Sequence, residues 1–170
     1  KEFNYNLIKN VLKNLIIIGS CYEYGKINGK ISENSICKPN TPYGKAKLKL
    51  LESLIRAKSF YDFKFTWLRP FFVYGENKKR KTLYTFVREL DKGKKVKLKV
   101  CGKLVRDFLP VEFLCSVIFK ILKLNKNIGI LNVCSGKKIT LKNFILSVLK
   151  NKKKISYIDM NGKNPNFFEP

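Results

Sequence analysis

Two short apolar runs on either side of a helical stretch constrain the fold of this chain more than any other feature. The runs are Leu15–Ile18 and Phe63–Leu68. Runs of this length and composition are typical of strands in a parallel sheet, and the first has the uniform apolar character of a strand buried on both faces. Between them, Thr41 and Pro42 open a predicted helix that continues to about Lys58. The order strand, helix, strand predicts an α/β fold.

The remaining elements are predicted from the same periodicities. The predicted helix after Thr41 buries an apolar face made of Leu48, Leu51, Leu54 and Ile55. Further helices are predicted over Phe3–Lys13, Lys81–Asp91, Val111–Leu124 and Thr140–Leu149, with Thr140 as an N-cap. Strands are predicted over Val96–Cys101, Ile130–Val133 and Ile155–Ile158. The charged run Lys150–Lys154 is expected to form a solvated turn.

Composition narrows the class of protein. With 170 residues, of which 45% are hydrophobic, the chain can build one ordinary core, or one core and part of a second. No apolar run approaches the ~18–20 residues that a membrane span requires. The chain has 5 cysteines, an odd number, and no histidine, so neither a disulfide framework nor a zinc site is supported. Reduced thiols and a cytoplasmic location are expected.

The formal charge of +24 suggests a nucleic-acid-binding protein as an alternative. Nearly all of the positive charge is lysine, however, and it is spread along the whole chain. Sequence-reading nucleic-acid sites favour clustered arginines with interleaved aromatic residues. We therefore interpret the charge as a general lysine-rich composition and predict no nucleic-acid partner, although surface lysines would still assist the capture of an anionic small molecule.

Tyr43 and Lys47 are the first candidates for chemistry. They are four positions apart, so they share one face of the predicted helix. Other tyrosines of this lysine-rich chain also have a lysine four positions further on, so the spacing alone is compatible with a chance match, and it is the position at the start of a helix between two strands that distinguishes this pair. An ammonium beside a phenol stabilises the phenolate, and such a tyrosine can take a proton from a sugar hydroxyl or return one to a ketone. Ser20 follows the first predicted strand, at the edge of the sheet where parallel sheets bind ligands. Its hydroxyl can hydrogen-bond the same oxygen.

Five segments, in order along the chain, extend this pattern into a family resemblance. They are Ile17–Gly25, Thr41–Lys47, Leu68–Glu76, Arg106–Glu112 and Leu131–Gly136. In that order they resemble the S-x-x-x-Y-G segment, the P-Y-x-x-x-K helix, the L-R-x-x-x-V-Y-G-P turn, the R-D-F-I-H-V-D segment and the Y-N-V-G-S-G segment of the extended short-chain dehydrogenases. These are the relatives of UDP-galactose 4-epimerase and the NDP-sugar dehydratases. The resemblance covers essentially the whole chain and implies a Rossmann-like, doubly wound parallel sheet, of which only the C-terminal part is expected here.

The resemblance also implies roles for individual residues. Ser20, Tyr43 and Lys47 correspond to the family's catalytic residues, and Ser20 contacts the substrate. Tyr43 and Lys47 also bind the cofactor, NAD or NADP, and Pro70 and Phe71 line its nicotinamide. Arg106 is expected to bind the pyrophosphate of a nucleotide-diphosphate sugar, a role that suits a planar guanidinium. The alternative for Arg106 is a surface ion pair with Asp107.

Departures from the family pattern restrict the expected reaction. The 4,6-dehydratases have Asp-Glu directly after the catalytic hydroxyl residue, where this chain has Cys21 and Tyr22. Epimerisation at C3 and C5 is expected to need a histidine, which the chain lacks. Phe72 replaces a family asparagine, and Leu109 and Pro110 replace Ile-His, so the sugar pocket departs from the family's. The remaining expectation is a 4-epimerase or 4-ketoreductase that transfers hydride at sugar C4. A non-catalytic, truncated relative is the second alternative.

The family's G-x-x-G-x-x-G loop is absent from this sequence, although the sequence has 10 glycines. That loop places a pyrophosphate on a helix N-terminus, so we expect the chain alone to bind NAD poorly. Residues 1–75 are predicted to be the C-terminal part of the NAD(P)-binding domain, and residues 76–170 mainly a smaller α/β region that binds the nucleotide sugar. The resemblance also implies a homodimer through the Y-x-x-x-K helix, whose apolar face would serve equally well as a core face.

Overall fold

The computed structural model describes residues 14–26, 29–76, 82–95 and 98–162. In chain order its strands and helices are β1 (Asn14–Ile18), α1 (Pro42–Lys58), β2 (Lys64–Pro70), β3 (Phe72–Tyr74), α2 (Leu83–Asp91), β4 (Leu98–Lys99), β5 (Val105–Arg106), β6 (Phe108–Pro110), α3 (Val111–Leu124), β7 (Gly129–Val133), β8 (Ile139–Thr140), α4 (Leu141–Val148) and β9 (Ile158–Asp159). Two 3₁₀ helices are formed by Cys21–Glu23 and Lys152–Tyr157. The helix predicted over Phe3–Lys13 lies outside the described residues.

The described chain divides into two compact units. The first unit comprises the residues up to Phe71 together with Cys115–Val133. The second unit comprises Phe72–Leu114 and the residues from Cys134 onward. The assignment of cofactor binding to residues 1–75 and of substrate binding to residues 76–170 stays a prediction.

A parallel sheet with the order β1-β2-β7 forms the framework of the first unit. The predicted parallel α/β fold is thereby confirmed. β2 is the central strand, and it is buried from Phe65 to Pro70. β1 was expected to be buried on both faces, but it is only half-buried, and Ile18 is 38% exposed. Among the described residues β1 pairs with β2 alone, so one of its edges and part of its surface stay uncovered.

Helix α1 connects β1 to β2 and covers one face of the sheet. The hydroxyl of Thr41 accepts a hydrogen bond from the Gly44 N–H at 3.0 Å, and Pro42 occupies the first turn, so the predicted helix start is confirmed. Its buried residues Leu51, Leu54 and Ala57 pack against Phe63, Phe65 and Trp67 of the adjoining segment and β2. Ile55 was predicted on the buried face, but it is 48% exposed. A helix turns 100° per residue, so Ile55 lies at the margin of the stripe that Leu51 and Leu54 define.

In its described residues, the second unit contains three short strand pairs, the helices α2 and α4, and the second 3₁₀ helix. β3 pairs with β6 and β4 with β9 in parallel, whereas β5 and β8 are antiparallel. The rings of Phe108 and Phe144 stack with centroids 3.8 Å apart, and Tyr74 packs edge-on against Phe144. The buried core residues are Val87, Leu90, Leu141, Phe144, Ile145, Leu149 and Ile158. In the described part of the chain, no helix is both long and apolar enough to cross a membrane.

Several predicted boundaries in the second unit are wrong. The strand predicted over Val96–Cys101 is present only at Leu98–Lys99, with residues 96 and 97 outside the described part. The strand predicted over Ile155–Ile158 is mainly a 3₁₀ helix, whose first turn is capped by the Asn151 side chain. Short apolar runs do not distinguish these two states by periodicity.

Lys154 was expected in a solvated turn, but it has a structural role in the second unit. It is half-buried, and its ammonium donates to the carbonyls of Leu90 at 2.9 Å and Asp91 at 2.6 Å. These carbonyls belong to the last turn of α2, whose C-terminal end favours a positive charge. A lysine can thus serve as a helix cap from a distant position in the sequence.

Asp91 should make the stability of the second unit sensitive to acid. Burial alone would raise the pKa of its carboxyl, but the N–H groups of Lys150 and Asn151 bind the ionised form and lower that pKa below the ordinary value. Because the folded-state pKa of this carboxyl is lower than its unfolded-state pKa of about 3.9, its ionisation stabilises the fold at pH values above about 3.9. This stabilisation is lost as the pH falls through the folded-state pKa. Urea unfolding of Asp91→Asn over roughly pH 2–6 should therefore show a weaker pH dependence than the unmodified protein. An unchanged dependence would contradict this role.

Candidate active site

Ser20 lies at the carboxyl end of β1, in the turn that leads into the first 3₁₀ helix. Its backbone is extended, and its hydroxyl oxygen accepts a hydrogen bond from the Tyr22 N–H at 3.2 Å. The residue is 6% exposed. Because this bond uses a lone pair, the hydroxyl keeps its own proton for donation to an oxygen of a bound molecule.

Tyr43 and Lys47 project from the first two turns of α1. Tyr43 is 53% exposed, and the Lys47 ammonium lies 5.8 Å from the centroid of the Tyr43 ring. The helical spacing predicted from the sequence is therefore present, and it places a positive charge beside the phenol. The partly exposed tyrosine can contact a bound molecule without any rearrangement of the core.

A hydrogen bond connects this helical pair to the end of the sheet. The Lys47 ammonium donates to the carbonyl oxygen of Ile18 at 2.7 Å, two residues before Ser20. In addition, the rings of Tyr22 and Tyr43 meet edge to face with centroids 6.0 Å apart. The three predicted catalytic residues, Ser20, Tyr43 and Lys47, are thus brought to one place.

Gly44 allows α1 to approach the Ser20 turn closely. A Cβ atom at this position would lie 2.4 Å from the carbonyl oxygen of Tyr22, which is a backbone atom that cannot rotate away. Any larger residue would push the start of α1 away from the turn. The glycine therefore sets the separation between Tyr43 and the segment that carries Ser20.

Pro70 and Phe71, the predicted nicotinamide-lining residues, lie at the end of the neighbouring strand β2, at the same edge of the sheet. Pro70 is buried at the end of β2 and pairs with Val133 in register. Phe71 is half-buried, and its N–H donates to the Val133 carbonyl at 3.0 Å. Their location at the carboxyl ends of the strands is where open α/β sheets bind ligands, but their role stays a prediction.

Arg106 belongs to the second unit, in β5. Its guanidinium lies 4.9 Å from the centroid of the Phe72 ring, and it donates to the Val105 carbonyl at 2.8 Å. Asp107, the partner in the alternative ion-pair prediction, accepts through its carboxylate from the N–H groups of Ser135 at 2.8 Å and Gly136 at 2.7 Å. Pyrophosphate binding by Arg106 stays a prediction.

Comparison with known proteins identifies the family. The model of the NAD dependent epimerase/dehydratase family matches residues 5–134. The chain belongs to this family. The family prediction made from the five segments is confirmed.

Individual relatives of this epimerase/dehydratase family member agree with that assignment. The chain is 27% identical over 143 residues to the dTDP-6-deoxy-L-talose 4-dehydrogenase (NAD(+)) of Aggregatibacter actinomycetemcomitans, covering 83% of this chain and 53% of the relative. It is similar in structure to the UDP-N-acetylglucosamine 4-epimerase of Methanobrevibacter ruminantium M1, with a TM-score of 0.79, 23% identity and coverage of 97% of this chain and 55% of that one.

A third relative has a different named activity. The dTDP-glucose 4,6-dehydratase of Bacillus anthracis gives a TM-score of 0.76 at 23% identity, covering 89% of this chain and 51% of that one. The chain thus spans about half the length of each of these relatives. The structural similarity confirms the predicted Rossmann-like fold.

In this family member a buried polar network, which was not predicted from the sequence, surrounds the Ser20 turn. Glu23 and Arg69 form an ion pair of 2.7 Å, with the two side chains 0% and 2% exposed respectively. The indole N–H of Trp67 donates to both carboxylate oxygens, at 3.0 and 3.1 Å. Arg69 also donates to the Tyr24 hydroxyl at 2.9 Å, and that hydroxyl donates to the Asn132 side-chain oxygen at 2.7 Å.

Electrostatics keep Tyr24 neutral and Arg69 charged at neutral pH. Burial raises the pKa of the Tyr24 hydroxyl, and the Arg69 guanidinium, which donates a hydrogen bond to that hydroxyl, only partly opposes this effect, so the phenol stays neutral. Burial would lower the pKa of Arg69, but its hydrogen bonds to Glu23 and Tyr24 raise it above the ordinary value. The guanidinium therefore stays charged opposite the carboxylate.

One sequence signal could have revealed part of this network. Ser20 and Glu23 form the S-x-x-E pattern of a capping box, and the structure contains the reciprocal bonds of that motif. The partners of Glu23 could not be identified in the same way, since Trp67 and Arg69 lie more than forty positions further along the chain.

Proposed function

We propose that this chain provides the acid–base and substrate-binding part of an NAD(P)-dependent nucleotide-sugar enzyme that acts at sugar C4, as a 4-epimerase or a 4-ketoreductase. The observation that carries the proposal is the position of Lys47, which bonds to the end of β1 beside Ser20 and lies next to the Tyr43 ring. Two of the relatives are named for reactions at C4, a 4-dehydrogenase and a 4-epimerase, and this supports the same site of reaction.

The chemistry follows from the three side chains. In the oxidative direction Tyr43 takes the proton of the sugar hydroxyl, and in the reductive direction it returns that proton to the ketone oxygen. The positive charge of Lys47, next to the Tyr43 ring, stabilises the negative charge that develops on the phenolic oxygen during this proton transfer. Ser20 donates a hydrogen bond from its hydroxyl to the same sugar oxygen, keeps its proton, and orients that oxygen. NAD or NADP, when bound, supplies or accepts the hydride at C4.

The donor set at the sheet edge of the first unit fits a nicotinamide cofactor. Tyr43 and Lys47 offer a hydroxyl and an ammonium that can hold a ribose, and Pro70 and Phe71 would line the nicotinamide. Arg106 would bind the substrate pyrophosphate as a planar, doubly donating cation.

The local acid groups argue against dehydration. Cys21 and Tyr22 stand where the dehydratases are expected to have Asp-Glu. Glu23, the next residue, is a carboxylate, but it is fully buried against Arg69 and Trp67 and cannot reach a substrate from there. Elimination of water needs an acid and a base in contact with the sugar. The C4 reaction without dehydration is therefore preferred.

Loss of Lys47 should remove most of the activity. We expect Lys47→Met to lower the turnover of the full gene product by about 10²-fold or more, because one preorganised electrostatic contact at a developing charge typically contributes this much. The assay with a panel of UDP- and dTDP-hexoses and their 4-keto forms follows nicotinamide absorbance for net oxidation or reduction, and the ratio of the two C4 epimers for epimerisation, which causes no net change in the nicotinamide. Lys49→Met, at an exposed position of the same helix, is the matched control and should retain turnover. Equal activity of the two variants would contradict the proposal.

The predicted homodimer through α1 is part of the same proposal. Ile55 is exposed on this helix while Leu51 and Leu54 are buried, so α1 presents an apolar residue that its own sheet does not cover. Ile55→Lys should convert a dimer of the full gene product into a monomer in analytical ultracentrifugation, because burial of an unpaired charge is costly. A monomeric unmodified protein would contradict the dimer.

A further inference from the structure

The Glu23 carboxylate is directed back toward the catalytic turn. Its Oε1 atom accepts a hydrogen bond from the Ser20 backbone N–H at 2.8 Å, and this bond is buried. In return, the Ser20 side chain caps the 3₁₀ helix that carries Glu23. The two residues are therefore joined by reciprocal hydrogen bonds. The direction of the Ser20 Cα–Cβ bond consequently depends on the position of the Glu23 carboxylate.

The carboxylate itself is held by the central strand of the sheet. Trp67 and Arg69 of β2 donate to it from their Nε1 and Nε atoms, at distances of 2.7–3.1 Å. Both side chains are buried, at 0% and 2% exposure. Glu23 therefore fixes the turn that bears Ser20 relative to β2, which is a rigid, paired strand.

Gly19 permits this arrangement. A Cβ atom on Gly19 would lie 2.1 Å from the indole nitrogen of Trp67 and 2.5 Å from Oε1 of Glu23. The indole and the carboxylate therefore pack directly over the peptide that precedes Ser20. The turn has no space in which to shift toward the network.

Stability alone does not account for a buried ion pair at this position. Desolvation of two charges costs much of what their attraction gains, and well-packed apolar residues of similar volume are often as stable. An ion pair with directed hydrogen bonds does, however, define geometry more narrowly than apolar packing does. We therefore expect the Glu23 network to serve mainly to define the geometry of the Ser20 turn.

We propose that Glu23 is a positioning residue that holds Ser20 in the orientation needed for hydrogen bonding to the reacting sugar oxygen. This inference rests on the proposed function, in which Ser20 contacts that oxygen. Glu23 touches neither substrate nor cofactor. Its effect passes through the Ser20 backbone, and a displacement of about 1 Å at such a group can cost about 10²-fold in rate.

A double-mutant cycle on the full gene product tests the inference. Glu23→Gln keeps the shape of the side chain but removes its charge and places an amide donor among the donors of Trp67 and Arg69. We expect about a 10–10²-fold fall in kcat with little change in KM for the sugar. Combined with Ser20→Ala, the same substitution should cause almost no further loss, because the group that it positions is gone. Glu52→Gln, at an exposed position of α1, is the matched control and should retain turnover.

The outcomes separate a positioning role from a structural one. If Glu23→Gln lowers kcat by the same factor with and without Ser20→Ala, the two residues act independently and the inference is overturned. Unchanged kcat in Glu23→Gln overturns it as well. If Glu23→Gln fails to fold, the cycle is run with Glu23→Gln/Arg69→Gln, in which no unpaired charge is buried.

Amide hydrogen exchange decides the inference without any activity. The Ser20 N–H should exchange faster in Glu23→Gln, whereas the paired amides of β2 should keep their protection. Unchanged exchange at Ser20, or a general loss of protection in β2, would overturn the inference. If no nucleotide sugar is converted by the unmodified protein, the proposed function fails, and hydrogen exchange still decides whether Glu23 holds the Ser20 turn.

Discussion

Replacement of Tyr43 by Phe is expected to lower the kcat of the full gene product by about 10²–10⁴-fold, the usual contribution of a general acid–base group. The phenolic oxygen is the only atom removed, so the edge-to-face contact of the ring with Tyr22 should remain. Because Tyr43 is 53% exposed, its loss of a hydroxyl should change the free energy of unfolding by less than about 0.5 kcal/mol. The measurement is kcat for a nucleotide sugar, with thermal unfolding in parallel.

A matched control separates the role of Tyr43 from a general effect of removing a hydroxyl. Tyr157 is 69% exposed in the second unit, and Tyr157→Phe should leave kcat unchanged. If Tyr43→Phe retained the turnover of the unmodified protein, Tyr43 would have no place in the mechanism, and a non-catalytic relative would become the better description of this chain.

The second large effect is expected on stability. Arg69→Met should lower the free energy of unfolding by about 3–5 kcal/mol, because it leaves the buried Glu23 carboxylate without its cation. It also removes the donor to the Tyr24 hydroxyl, which lies between Arg69 and Asn132. Urea unfolding followed by circular dichroism measures this change.

Arg56→Met provides the comparison for this prediction. Arg56 is exposed on α1, and its substitution should change the free energy of unfolding by no more than about 0.5 kcal/mol. Removing both charges with Glu23→Gln/Arg69→Met should cost less than Arg69→Met alone, since no buried charge is then unpaired. A loss below about 1 kcal/mol for Arg69→Met would show that the pair is not buried as described.

Much of the first unit could be predicted from sequence because its elements carry strong local signals. β1, α1 and β2 lie close to their predicted positions, since short apolar runs and a capped amphipathic helix are distinct patterns. The exposure of Ile55 could not be predicted, because a position at the margin of an apolar stripe is decided by what packs there. The helix–strand error at Ile155–Ile158 has a similar cause, since four residues are too few for a period to be defined.

The candidate site was predictable only in part. Ser20, Tyr43 and Lys47 were found through motifs, and the structure places them together at the end of β1. The buried network that holds the Ser20 turn could not be predicted, because Glu23 contacts Trp67 and Arg69 only after β2 has paired with β1. Tertiary hydrogen bonds of this kind leave no periodic trace in a single sequence.

The most direct test of the central claim is the isotope effect at sugar C4. A nucleotide hexose deuterated at C4 and one deuterated at C3 would be compared as substrates of the full gene product in the oxidative or epimerising direction. Hydride transfer at C4 predicts slower turnover with the C4-deuterated sugar and an unchanged rate with the C3-deuterated one. Equal rates with the C4-deuterated and unlabelled sugars in single-turnover experiments, or an effect at C3 instead, would contradict the assignment of the reaction to C4.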